Sequence, residues 1–168
     1  MSEQTNEQIS KASMNGPEVN LQRIYVKDLS FEAPRTPAIF KEQWSPKMTF
    51  ELNISTQPLE ESSLYEVTLE LHVHVKNEVN KEEKAAFLIE IKQAGIFSIQ
   101  NASPEQLDHI LKSFCPQILY PYAREAVSDL AARGSFPQLL LAPIYFDGLY
   151  MKEKADKMKQ EKEKVTLQ

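Results

Sequence analysis

Residues 64–75 carry the strongest alternation of hydrophobic and polar positions in the chain. Tyr65, Val67, Leu69, Leu71, Val73 and Val75 fall on one parity, and Glu66, Thr68, Glu70, His72 and His74 on the other. A period of two predicts a strand with one buried and one wet face. Three other stretches predict strands. Residues 21–32 are rich in β-branched and aromatic side chains, with Tyr25, Leu29 and Phe31 on one parity and Ile24, Val26, Asp28, Ser30 and Glu32 on the other. Residues 47–55 set Met48, Phe50, Leu52 and Ile54 against Thr49, Glu51 and Asn53, and residues 85–93 set Phe87, Ile89 and Ile91 against Leu88, Glu90 and Lys92. Pro34, Pro37 and Pro46 make residues 33–46 an irregular crossover that carries Ile39, Phe40 and Trp44. A charged turn is expected over 76–84, and Gly95 is expected to break the fourth strand.

The period then changes. Ser103, Pro104 and Gln106 read as N-cap, first and third positions of a helix, with Leu107, Ile110, Leu111 and Phe114 on its apolar side. Pro116 and Pro121 suit first helical turns, and Leu119, Ala123, Ala126, Val127, Leu130 and Ala131 follow at helical spacing. That face is mostly alanine, so a neighbour can come close. Arg133 and Gly134 end the helix. Residues 136–146 are apolar but interrupted by Pro137 and Pro143. They make either a loop packed on its own core or one that walls a binding surface. A last helix begins near Asp147 and runs into a polar tail.

Strands followed by helices predict an α+β fold: a four-stranded antiparallel sheet with helices on one face and the other face solvated. One such layer is modest cover for the apolar groups of residues 115–150, so self-association is expected. Residues 1–19 read as a disordered arm ending near Gly16-Pro17, residues 20–151 as one domain, and residues 152–168 as a charged helix end and tail.

Charge narrows the partners. The net charge is −5, yet residues 152–168 hold six lysines against four acids, so the body is more acidic than the total. Phosphate contacts need clustered Lys or Arg, which argues against nucleic acid, whereas a basic protein partner fits. The polar N-terminus and the lack of a long apolar run speak against a signal peptide or membrane insertion. The single cysteine, Cys115, cannot form an internal disulfide; together these features point to the cytoplasm.

Catalysis finds little support. His72 and His74 share a strand face, but two ligands are too few for a metal site. Ser128, Asp129 and His109 make a poor triad, because adjacent helical residues point apart. Cys115 could be an activated thiol at a helix start or a quiet buried one. No nucleophile elbow, Walker loop or dinucleotide fingerprint is present, and four glycines leave little for a phosphate cradle. No enzyme, no metal and no cofactor are expected. The wet face of the sheet is expected to hold Glu66 and Glu70 of the third strand, Leu88 and Glu90 of the fourth, and Asp28 and Glu32 of the first. An apolar residue among carboxylates hints at docking, although a plain solvated face gives the same charges.

YPYARE at 120–125 and RGSFPQLLLAPIYFDGLY at 133–150 resemble the signature of the bacterial SecB export chaperones. IYVKDLSFEAPRTP at 24–37, AAFLIEIKQAGIFSI at 85–99 and Trp44 extend the resemblance over about residues 24–151. It implies a homotetramer, a dimer of dimers, that holds precursor proteins unfolded without ATP and delivers them to the SecA translocation motor. It implies that Asp28, Glu32, Leu88 and Glu90 receive a basic, zinc-bearing tail of SecA. It also implies an apolar client groove near Phe40, Trp44, Phe136, Leu141 and Tyr145. Two features depart from the pattern: Ala94-Gly95 stands where the family has paired glycines, and the tail is lysine-rich where the family's is often acidic, which leaves any tail contact with SecA unsupported. The rival readings are an α+β binder of small apolar ligands with residues 136–146 as a lid, and an enzyme.

Overall fold

The structure is a computed structural model that describes residues 16–166. Strands β1 (Glu18–Glu32), β2 (Pro46–Pro58), β3 (Leu64–Val79) and β4 (Glu82–Gln100) form one antiparallel sheet in the order β1-β4-β3-β2. The chain therefore crosses from one edge of the sheet to the other between β1 and β2. That crossover holds a cis Thr36–Pro37 bond and a short 3-10 turn at Ala38–Lys41, whose Ile39 is buried. Since β1 starts at Glu18, the last residues assigned to the N-terminal arm join the sheet; residues 1–15 lie outside the described residues.

The strands outrun their predicted ends. β3 and β4 meet at Asn80-Lys81, whose φ values of 54° and 66° make the two-residue turn that suits strand twist. Gly95 does not interrupt β4. A Cβ there would come 2.9 Å from Leu119 Cδ2 and 3.1 Å from the Arg23 carbonyl oxygen, so this glycine admits a helix close to the sheet.

β1 departs most from its sequence pattern. Register shifts between Leu21 and Arg23 and between Val26 and Asp28 insert a bulge at each point. Each bulge reverses the alternation. Tyr25 pairs with Ala94 and shares the outer face with Asp28, Ser30 and Glu32, while Ile24 and Val26 turn inward. Simple parity had grouped Tyr25 with Leu29 and Phe31.

After the sheet, α1 (Pro104–His109) passes through a π-type turn at Ile110–Phe114 into α2 (Cys115–Arg133). Ser103 and Gln106 close the expected capping box: the Gln106 N–H donates to Ser103 Oγ and the Ser103 N–H to Gln106 Oε1. Pro121 lies inside α2 rather than at a helix start. Pro121 has no N–H to donate to the preceding turn, yet the helix continues through it. Leu119, Ala123, Val127 and Ala131 are fully buried, facing the inner side of β3 and β4. At the end of α2 the left-handed residue is Ser135, at φ 61°, not Gly134. Gly134 is required for space, because a Cβ there would sit 2.4 Å from Phe31 Cζ. α3 (Phe146–Thr166) closes the chain. Among the described residues no helix is long and apolar enough to cross a membrane.

Candidate functional site

Two surfaces stand out, one on each side of the sheet. The inner one is built around Phe136. The Phe136 N–H donates to the Ala131 carbonyl, which turns the chain back onto the end of α2 and drives the ring inward. Its centroid lies 4.6 Å from Phe87 of β4, 5.5 Å from Phe40, 5.6 Å from Trp44 and 6.4 Å from Phe31. Aromatic pairs at such spacing add to the burial of their faces. The rings grade from core to solvent: Phe87 and Phe136 are buried, Trp44 is half-buried, and Phe40 is 51% exposed.

A polar latch holds Phe40 and Trp44 over that ring. Asn77 is 1% exposed; its amide donates to the Gln43 carbonyl and to Glu42 Oε2, and its Oδ1 accepts from the Ser45 N–H. Arg35 pairs with the other oxygen of Glu42. Together these bonds fasten the crossover to the end of β3. Asn77 carried no recognisable signal in the sequence, where it fell within a charged run.

The loop between α2 and α3 is pinned at intervals. Gln138 Nε2 donates to Ser128 Oγ, Tyr120 Oη donates to the Ala142 carbonyl at 2.6 Å, and the Phe146 ring packs on Tyr120. Leu141 is buried at 3% exposure, whereas Tyr145 is 76% exposed with its ring over Gly148. The structure thus brings Phe40, Trp44 and Phe136 into one cluster. It sets Leu141 beneath the loop and Tyr145 outside it. An open cleft of about 480 Å³ runs between α2 and the loop, lined by Arg124, Glu125, Ser128, Asp129, Gln138 and Leu140 among others.

The outer surface is the far face of the sheet. Glu32 pairs with Leu88, Ser30 with Glu90 and Asp28 with Lys92, so Asp28, Glu32, Leu88 and Glu90 occupy two adjacent strands. On β3, His74 lies opposite Leu88 and His72 opposite Glu90, and on β2 Glu51 lies opposite His72. Toward the other end of this face, Lys27 hydrogen-bonds Glu66 and holds its carboxyl below the usual carboxylate range despite partial burial.

The triad considered from sequence does not assemble. Ser128 accepts from Gln138 and Asp129 pairs with Arg133, while His109 lies against Asp147, far along the chain. Asp147 Oδ1 also accepts from Ser113 Oγ, a bond that with His109 keeps its carboxyl below the ordinary range. These contacts fasten the start of α3 to the α1–α2 junction. Cys115 is buried, and burial pushes its thiol up to about 12, the opposite of an activated nucleophile. Among the described residues no group of three or more metal-ligating side chains converges.

The family model described as "Preprotein translocase subunit SecB" matches residues 12–157. A protein-export protein SecB from Legionella pneumophila is 54% identical over 139 residues, which are 83% of each chain. One from Pseudomonas syringae pv. syringae is 46% identical over 168 residues, the whole of both chains. Among solved structures, a SecB-like chaperone of Mycobacterium tuberculosis, in complex with a ChAD peptide from an antitoxin, superposes with a TM-score of 0.62 at 20% identity. That match covers 75% of this chain and 90% of the other, and bears on the fold.

Proposed function

This chain belongs to the SecB family of protein-export chaperones, and from that premise we propose that it holds precursor proteins unfolded without ATP and hands them to SecA. The observation that carries the reading is the open end of the aromatic stack, where Phe40 remains half in solvent on rings anchored in the core. A collapsed protein has no reason to hold that ring up by a buried asparagine. An unfolded client offers apolar side chains to cover it.

The energetics suit a passive holder. Binding only unfolded chains opposes their folding by about 2.7 kcal/mol when the free chaperone is at 100-fold excess over Kd. Each Å² of apolar surface covered contributes about 25 cal/mol, offset in part by ordering the client. No nucleotide is needed for such an equilibrium. The client surface is assigned to Phe40, Trp44 and Phe136 with the loop carrying Leu141 and Tyr145; the exposed Tyr145 offers direct contact, and the buried Leu141 supports the loop from beneath.

SecA docking is assigned to Asp28, Glu32, Leu88 and Glu90. Their common outward face supports this. A homotetramer is also proposed. On edge strand β1 the inward-turned Leu21, Val26 and Leu29 remain exposed in the single chain, a row of apolar groups that another copy can cover. Repeated grooves on one assembly raise effective concentration for a long client. The cytoplasm, where precursors precede export, is the proposed location.

A small apolar ligand would be poorly served by the cleft beside the loop, where Arg124, Glu125 and Asp129 contribute charge. The test is whether the purified protein assembles as a tetramer, arrests refolding of a slow-folding client without ATP, and binds SecA while loaded. A monomer that ignores unfolded chains overturns the reading.

A further inference from the structure

Between the acidic groups of the outer sheet face stands a histidine with two anionic neighbours. His72 Nε2 lies 3.1 Å from Glu70 Oε1, and His72 Nδ1 lies 3.5 Å from Glu90 Oε1. A neutral imidazole has one N–H, so it donates to one of these carboxylates and turns a lone pair toward the other. The imidazolium carries an N–H on each nitrogen, so it can donate to Glu70 while its charge attracts Glu90.

The surroundings reinforce this. From β3 itself come Glu70 and His74; from β4 come Glu90 and Lys92; from β2, Glu51 pairs directly with His72; Asp28 and Glu32 lie beyond on β1. Lys92 is the fixed cation of the group, 3.5 Å from Glu70. Histidine is the side chain whose charge ordinarily changes between pH 5 and 8. We propose that the charge on His72 sets how strongly the outer sheet face holds a basic partner, so that docking weakens as pH falls.

The proposal rests on the docking assignment of Glu90 and its neighbours. Protonation places a positive charge beside Glu90 and engages the carboxylate that a partner's Lys or Arg would use. By linkage, a bound cationic partner disfavours that protonation. Affinity is therefore full where the imidazole is neutral and falls where it is charged. The His72 and Glu90 side chains are 36% and 54% exposed, so solvent screens the effect and a change of about three- to tenfold in Kd is expected.

The experiment measures binding of purified zinc-loaded SecA to the full chain by calorimetry at pH 8.0, 7.0 and 6.0 and at one ionic strength, for wild type, H72Q and H72K. Refolding arrest of a client checks that each variant is folded. Wild type is expected to lose affinity toward pH 6.0, H72Q to lose distinctly less, and H72K to bind weakly throughout. A slope in H72Q equal to that of wild type overturns the proposal alone, because SecA's own titration then accounts for it. No binding by wild type at pH 8.0 overturns the docking assignment together with the proposal.

Discussion

Phe31 and Glu32 are neighbours in β1, as are Phe87 and Leu88 in β4, yet within each pair the two side chains belong to different surfaces. Phe31 and Phe87 stack at 5.8 Å and support the Phe136 cluster on the inner side. Glu32 and Leu88 pair directly on the outer side. The inner surface is made by contact: ring on ring, graded from core to solvent, with a buried amide holding its rim. The outer surface is made by cross-strand register, which lines up carboxylates with His72 and Lys92 among them. Packing acts over a few ångströms and tolerates salt, whereas charge acts over about 8–10 Å and does not. One sheet can thus keep the proposed client capture and the proposed handover separate, although only a strand's thickness divides them.

The strongest way to break the comparison is Phe136→Ala. Removing this ring leaves a cavity beside Phe87, and a loss of about 3–5 kcal/mol in urea unfolding is expected. A loss below about 1 kcal/mol would mean that the cluster is not a packed unit. Trp44→Ala removes a rim ring while leaving the core; client affinity should drop by about tenfold with SecA affinity within twofold, both by calorimetry. Equal losses would erase the division between the surfaces. Glu90→Gln should do the reverse, lowering SecA affinity by roughly three- to tenfold and flattening its salt dependence while client arrest stays intact. The smallest effect concerns neither surface. Asp147, whose carboxyl is held low by Ser113 and His109, contributes stability above the normal aspartate range that is lost as pH falls through its lowered value. Asp147→Asn should therefore narrow the difference between mild-acid and strong-acid melting temperatures; an unchanged acid profile would show that these bonds are idle.

Much of this was readable from alternation. The inward set on β3 and β4 followed from a period of two, and so did the outward placement of Leu88 and Glu90. The capping box at Ser103 was equally plain, since its chemistry is local. What stayed hidden depended on contacts across the fold. The role of Gly95 is set by Leu119, and that of Gly134 by Phe31. Pro121 looked like a helix start because a missing N–H is cheapest there, but α2 carries it in its interior. The gathering of Phe40 and Trp44 on Phe136 needed the Asn77 latch, which no local pattern announces. The resemblance named these aromatics; only the fold set them in one stack.

The bulge beside Lys27 has a consequence for how the protein can change. Removing that one residue would restore strict alternation between Val26 and Asp28. Val26 would stay inward and Asp28 outward, whereas losing or gaining a residue between Asp28 and Glu32 would roll one side of the strand over and exchange the places of its carboxylate and phenylalanine. Substitutions along this edge can be absorbed one at a time, but its length is under a far stricter constraint than its composition.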